Sequence, residues 1–364
     1  MPDWIPTWPP DWPEINSALL DCVASGQWGR YHSDICSELA ARLQTDFDVA
    51  HCRLCCSGTA AVEISLRACG VKPDDEVVLA AMDYPGNFRC IESVAARPVL
   101  VDVQRDSPCI DPQSLRKIAL DSSSNKRIVA VIASSLYGHA ADWDELQSVC
   151  TENGWKLIND ACQVMGMTID GKPVETFGDI ATTSFGGSKV VSAGAGGAVF
   201  TNDDRLASRL DAWVNRPSET FPLSPLQAAV IGPQLDRLNK MNQNRRENVA
   251  FLANSIDSDA DCKLNAMPSK RDDVQSSYYK LAIETCSVET KNQVLAKAAE
   301  SGLPIGKAFR SMDRSSPRRC RKPVPLENSK HIAEQWIVLD HRALLIQKQH
   351  QQTLASAILS AAKL

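Results

Sequence analysis

Two side chains near the middle of the chain have the clearest capacity for chemistry. Asp160 ends the apolar run "WKLIND", and Lys189 sits among glycines and small residues in "TTSFGGSKVVSAGAGG". A carboxylate at the end of an apolar segment is costly to bury unless it caps a helix or faces a cation. A lysine in small, apolar surroundings is either a solvated turn residue or an amine held where its charge is disfavoured. Two further positions offer binding groups. In "CCSGT", Gly58 and Thr59 present backbone N–H groups and a hydroxyl at a helix start, where a phosphate is favoured. In "AMDYPGN", Tyr84 offers an aromatic face. Taken singly, each has an ordinary reading: a helix cap, a turn lysine, an N-cap and a packing aromatic.

The elements that carry these residues change that balance. From about residue 57 to 201, helical patterns alternate with short apolar runs: "DEVVLA", "RPVLVDV", "RIVAVIAS", "WKLIND", "DIATTSF" and "GGAVFT". Such runs, without polar alternation, read as strands buried on both faces of a mostly parallel sheet. "SGTAAVEISLRACG" reads as a helix with Ser57 or Thr59 at its start and Gly70 past its end. In a parallel α/β sheet, ligands bind beyond the carboxyl ends of the strands, and Gly58/Thr59, Tyr84, Asp160 and Lys189 all follow strand-like runs. Together they supply phosphate donors, a flat face, a lone carboxylate and a lone amine. Pyridoxal phosphate, with a phosphate, a ring, a basic ring nitrogen and an aldehyde, uses all four.

Composition bounds the rest. The 364 residues predict a large α/β domain at 1–244 and a smaller α+β domain at 245–364, joined by a helix from Leu226 to Asn244 that Pro233 should bend or interrupt. A net charge of −5, from 39 basic and 44 acidic side chains, gives no field for nucleic acid. The start "MPDWIPTWPPDWPE" lacks a basic and then apolar leader, and no uncharged apolar run reaches bilayer length, so a soluble cytoplasmic protein is expected. Thirteen cysteines, scattered through core-like segments, suit reduced thiols. "HCRLCC" has a C-x-x-C spacing at Cys52 and Cys55 but no second ligand pair, and it alternates as a strand does, so no metal site is expected. Gly194 and Gly196 are followed by Val199 where a dinucleotide fingerprint needs a third glycine.

The segments "SGTAAVEISLRACGVKPDDEVVLAAMDY", "YGHAADWDEL", "LINDACQVMG" and "FGDIATTSFGGSKVVSAGAGGAVFTND" resemble, in order and spacing, the sugar and cyclitol aminotransferases of the DegT/DnrJ/EryC1/StrS type. The resemblance runs from "SGQWGRY" to "PVPLENSKHIAEQWIVLDH". It implies a fold-type-I pyridoxal-phosphate enzyme, homodimeric, that moves an amino group from glutamate or glutamine to a nucleotide-linked keto-sugar or to a keto-cyclitol. It further implies that Lys189 forms a Schiff base and then acts as base, and that Asp160 pairs with the ring nitrogen. Tyr84 would stack on the ring, Gln163 would lie near its hydroxyl, and Gly58, Thr59 and Ser184 would hold the phosphate.

Departures from the family pattern are also visible. The stretch "VNRPSETFPLSP" is shorter than the usual segment carrying an Asn-x-Arg contact to the partner's cofactor, and the sequence leaves open whether Asn215 and Arg216 replace it. Ala195 stands where an acid is common. For the substrate, Trp28 in "SGQWGRY" is a candidate contact. "RSSPRRCRK" offers Arg318, Arg319, Arg321 and Lys322 either to a nucleotide diphosphate or to solvent. Two rivals stay open: a cofactor-binding member without transaminase activity, and a nicotinamide-dependent oxidoreductase.

Overall fold

The six short apolar runs and the "HCRLC" segment pair into one seven-stranded sheet. The computed structural model describes residues 1–120, 127–215, 220–259 and 262–363. The strands are β1 (His51–Cys55), β2 (Glu76–Ala80), β3 (Arg97–Val101), β4 (Ile128–Ser134), β5 (Lys156–Asp160) and, after a small hairpin of β6 (Thr168–Ile169) and β7 (Lys172–Pro173), β8 (Ile180–Ser184) and β9 (Gly197–Thr201). The sheet order is β1-β9-β8-β5-β4-β2-β3. From β8 to β3 the neighbours are parallel, and only β9 runs against both of its neighbours.

Both faces are covered by α3 (Gly58–Ala68), α4 (Pro85–Ser93), α5 (Pro112–Ala119), α6 (Trp143–Asn153) and α7 (Asp204–Val214). Val78, Val131 and Leu157 share one core with Leu115 and Leu146, while Leu79, Ile132 and Ile158 share another with Leu66 and Ile91. Successive strand residues thus enter opposite cores, which is why these strands are apolar throughout. Before β1 the chain forms α1 (Pro13–Ala24) and α2 (Asp34–Asp46), both packed on α8 (Pro225–Asp257).

Helix α8 departs from the expected Leu226–Asn244 span. It continues to Asp257, with Pro233 inside it. A proline removes one intrahelical N–H, and here the neighbouring turn is braced from outside: Gln234 donates to the carbonyls of Val230 and Ser192 and accepts from the Ser192 N–H. Buried Leu235, Leu238, Met241, Val249, Leu252 and Ile256 carry one apolar face through residue 244 without a break.

Beyond α8, β10 (Leu264–Met267), β12 (Lys280–Thr285), β13 (Ile305–Lys307) and β14 (Trp336–Asp340) form an antiparallel sheet in the order β10-β12-β14-β13. The short β11 (Val274–Gln275) pairs with β6 and so ties this part to the loop after β5. Helices α9 (Val288–Ser301), α10 (Glu327–Gln335) and α11 (Gln351–Ala362) complete the unit. Its core joins Leu281, Ile283, Ile337 and Leu339 to Val249 and Leu252 of α8 and to Ile5. All thirteen cysteines are free thiols. Among the described residues, no cluster of three or more His, Cys, Asp or Glu could hold a metal, and no helix is long and apolar enough to cross a membrane.

Candidate active site

Strands β2, β4, β5 and β8 end at one edge of the sheet, and a cavity of about 480 Å³ lies there. Every residue proposed from sequence to hold the cofactor lines it: Gly58, Thr59, Tyr84, Asp160, Gln163, Ser184 and Lys189. Trp28 does not; it is exposed on a short 3-10 turn.

The anion end is built by α3. Ser57 caps the helix, its hydroxyl accepting the Ala60 N–H at 3.0 Å. The N–H groups of Gly58 and Thr59 precede the first intrahelical bond and point out of the helix start. A Cβ at Gly58 would lie 2.7 Å from Ser184 Cβ and 3.0 Å from Cys162 Sγ, so only glycine lets α3 approach β8 this closely.

Asp160 is buried at the end of β5, and its carboxylate is aimed by three donors. Asn87 Nδ2 lies 2.7 Å from Oδ2, the Ser134 hydroxyl 3.4 Å from the same oxygen, and the Cys162 N–H donates to Oδ1 at 3.0 Å. The strand register sets Asp160 between Ser134 of β4 and Thr182 of β8. Gln163 is also buried, and its Oε1 has no hydrogen-bond partner. An orphaned acceptor in a polar cavity fits a ligand hydroxyl.

Lys189 is half-buried on the loop between β8 and β9. Its amine lies 4.6 Å from the centre of the Tyr279 ring. Burial pushes the amine below the usual lysine range, and the charge of Lys280 adds to this, while Asp160 opposes it. The loop is held at two consecutive carbonyls. Trp8 Nε1 donates to the Lys189 oxygen at 2.9 Å, and His341 Nε2 lies 3.1 Å from the Ser188 oxygen. Arg245 faces the other ring nitrogen of His341 at 3.3 Å. A guanidinium only donates, so Nδ1 accepts and Nε2 carries the proton to Ser188. Burial, reinforced by Arg245, brings the His341 pKa down to about 3, which keeps that tautomer neutral.

The donor set fits pyridoxal phosphate. A helix start offers N–H donors suited to a phosphate, Tyr84 and Phe309 offer aromatic surface, Asp160 a carboxylate, Gln163 an unfilled acceptor and Lys189 an amine of lowered basicity. Asp83, Asn87, Ser134, Tyr279, Lys280 and Phe309 were not anticipated. The "SYYKLAI" segment carrying Tyr279 and Lys280 read only as a strand, and its approach to the first sheet's edge is a tertiary fact.

In the basic loop at 313–325, read as either diphosphate-binding or solvated, three cations are engaged within the chain. Arg319 pairs with Glu92 at 2.6 Å, Arg321 with buried Glu76 at 2.7 Å, and Lys322 donates to the carbonyls of Asp313 and Ser315. Arg318 is exposed, and neither it nor Arg319 lines the cavity. Asn215 follows the last turn of α7, also outside the cavity, and Arg216 lies outside the described residues.

Comparison with known proteins agrees with this geometry. The profile of the DegT/DnrJ/EryC1/StrS aminotransferase family matches residues 11–358. An L-glutamine:2-deoxy-scyllo-inosose aminotransferase from Streptoalloteichus tenebrarius is 28% identical, with 94% of this chain and 90% of that one covered. A GDP-perosamine synthase from Vibrio cholerae is 29% identical over 63% of this chain and 64% of its own. The crystal structure of a 3-amino-5-hydroxybenzoic acid synthase superposes with a TM-score of 0.86 over 98% of both chains at 24% identity, a likeness of fold. The chain belongs to the DegT/DnrJ/EryC1/StrS aminotransferase family.

Proposed function

We propose that this protein is a pyridoxal-phosphate aminotransferase that takes the amino group of glutamine or glutamate and delivers it to a keto-cyclitol or keto-sugar. The observation that carries the reading is one cavity walled by the Lys189 amine, the Asp160 carboxylate and the start of α3. When bound, pyridoxal phosphate supplies an aldehyde to the amine and a protonated ring that draws off the electron pair left at the donor's α-carbon.

The chain's residues do the rest. The N–H groups of Gly58 and Thr59, with Ser184, hold the phosphate against the positive end of α3. Tyr84 covers one face of the ring, and Gln163 Oε1 accepts its hydroxyl. Asp160 holds the proton on the ring nitrogen. Lys189, with its basicity lowered by burial, takes the donor's α-proton at Nζ and returns it.

One observation favours a cyclitol over a nucleotide-linked sugar. Arg319, Arg321 and Lys322 are already engaged within the chain, so this loop offers no ready diphosphate clamp. The reading includes a homodimer, supported by exposed Leu20, Val23, Trp28 and Tyr31 near the start of the chain and by Tyr84, which stays 44% exposed in the single subunit. It also places the protein in the cytoplasm, where thirteen free thiols persist.

The test is a half-reaction. Purified protein mixed with glutamine or glutamate should form one keto acid per site without an acceptor, and should then aminate a keto-cyclitol from a panel that includes nucleotide keto-sugars. Bound cofactor with no keto acid from any donor would mark a binding protein and overturn the reading.

A further inference from the structure

Behind Asp160 lies a second carboxyl. Asp83 follows β2 and is fully buried. Asn87, in the first turn of α4, joins the two acids: its Nδ2 lies 3.2 Å from Asp83 Oδ2 and 2.7 Å from Asp160 Oδ2. The Ser134 hydroxyl completes the group, 3.3 Å from Asn87 Nδ2 and 3.4 Å from Asp160 Oδ2. Asp83 Oδ1 accepts the Tyr84 N–H at 2.6 Å. With the Ser134 hydroxyl hydrogen directed to Asp160 Oδ2, the two hydrogens of Asn87 Nδ2 serve Asp160 Oδ2 and Asp83 Oδ2, so one amide bridges two buried carboxyls. Oδ1 of Asp83 takes a backbone N–H at short range, whereas Oδ2 has only the longer amide contact and is the atom placed to carry a proton.

Among the described residues, no cation acts on Asp83. The titratable groups that act on it are Asp160 from β5, Tyr137 from the turn after β4 and Cys109 from the loop before α5. Burial pushes the Cys109 thiol up to about 11 and the Tyr137 phenol above its usual range, so both stay neutral. Lys189 and Lys280 line the cavity, and the carboxyl that acts on Lys189 is Asp160. Two buried carboxyls joined through one amide do not both ionise freely. Burial first, and then the charge of Asp160, raise Asp83 to about 7.

We propose that Asp83 is a positioning residue for the cofactor's ring. It holds a proton at Oδ2, so that Asp160 alone carries the negative charge toward the cavity, and it releases that proton to solvent when a cationic ring nitrogen comes to face Asp160. The inference rests on the pyridoxal-phosphate reading above. In the release, the Oδ2–H bond breaks and the electron pair stays on Asp83, so the pair of acids becomes doubly negative beside one positive ring.

Two measurements test it, the first without cofactor. Asp83→Asn fixes the neutral state with the same shape. Since the folded pKa of Asp83 lies above its unfolded value of about 3.9, the wild-type apo-protein binds more protons folded than unfolded between about pH 4 and 7 and loses stability as pH rises there. The melting temperature of Asp83→Asn relative to wild type should therefore climb from pH 4 to 7 and then level off; a difference flat across that range overturns the proposal. Asp83→Ser repeats the test should the asparagine variant not fold.

The second measurement is the dissociation constant of pyridoxamine phosphate, which binds through ring and phosphate. The ratio of Asp83→Asn to wild type should be near one at pH 5.5 and rise about tenfold by pH 8.5, as ionised Asp83 strengthens the hold on a cationic ring. A constant ratio, with both proteins binding, overturns the role of Asp83 and leaves the cofactor reading standing. No binding by either protein at any pH overturns both.

Discussion

Trp8 donates its indole N–H to the backbone carbonyl of Lys189 at 2.9 Å across 181 residues of sequence, so the start of the chain helps fix the loop that carries the Lys189 amine. The same ring meets His341 edge-on at 4.6 Å between centres. Trp8→Phe keeps that packing and removes the donor. A net hydrogen bond of about 1 kcal/mol corresponds to a fivefold change in equilibrium. Fluorescence titration of the apo-protein should show pyridoxal phosphate binding about fivefold more weakly, with the circular dichroism spectrum unchanged. Unaltered binding would mean that the Trp8 contact does not bear on the loop.

Gly58 is where α3 and β8 come closest. In Gly58→Ala the new Cβ meets Ser184 Cβ at 2.7 Å, so the helix start must shift, at a cost on the order of 1–3 kcal/mol. The expected result is a lowered melting temperature together with at least tenfold weaker binding of pyridoxamine phosphate. Loss of stability with full cofactor affinity would separate Gly58 from the phosphate.

Asp160→Asn retains the shape of the side chain but not its charge, and its amide nitrogen must face either Asn87 Nδ2 or the Cys162 N–H, both donors. The rate of the half-reaction with glutamine, followed in a single turnover, should fall on the order of 10²- to 10⁴-fold, while the phosphate end still binds inorganic phosphate as in wild type. A half-reaction within a few-fold of wild type would remove Asp160 from its place opposite the ring nitrogen.

The amine of Lys189 gives a pH signature. It must be neutral to attack an aldehyde, so the rate at which apo-protein combines with pyridoxal phosphate rises with pH as the amine loses its proton. Burial, aided by Lys280, lowers that titration from the ordinary 10.5, and the half-rise should fall below it. Lys280→Met removes a positive neighbour and should move the half-rise upward. A stopped-flow pH series reads both; a half-rise that moves down in Lys280→Met would contradict the assigned electrostatics.

The strands of the main sheet and the residues at their ends are legible in the sequence because burial on both faces makes each strand one apolar run, and the ends of those runs mark the site. That Gly58, Tyr84, Asp160 and Lys189 share one sheet edge follows from their positions after these runs, and all four line the cavity. Asp83 and Asn87 could not be placed this way: an acid and an amide at a helix start read as local caps, and only the parallel pairing of β2, β4 and β5 brings them to Asp160. Tyr279, Lys280 and Trp8 reach the cavity by tertiary packing that no local pattern records. Arg319 and Arg321 read as a local basic cluster because the acids they pair with, Glu92 and Glu76, lie far back in the chain. Helix α8 runs past the expected Asn244 because its buried face continues at Arg245, Asn248 and Val249.

The central claim is that Lys189 is the residue to which pyridoxal phosphate attaches. Borohydride reduction of the protein saturated with pyridoxal phosphate, followed by peptide mass spectrometry, tests it most directly. The account predicts one pyridoxyl group per chain, on the peptide containing Lys189, with the visible absorption lost on reduction. A label on Lys280 or on any other lysine, or no label on protein that holds the cofactor, would contradict it.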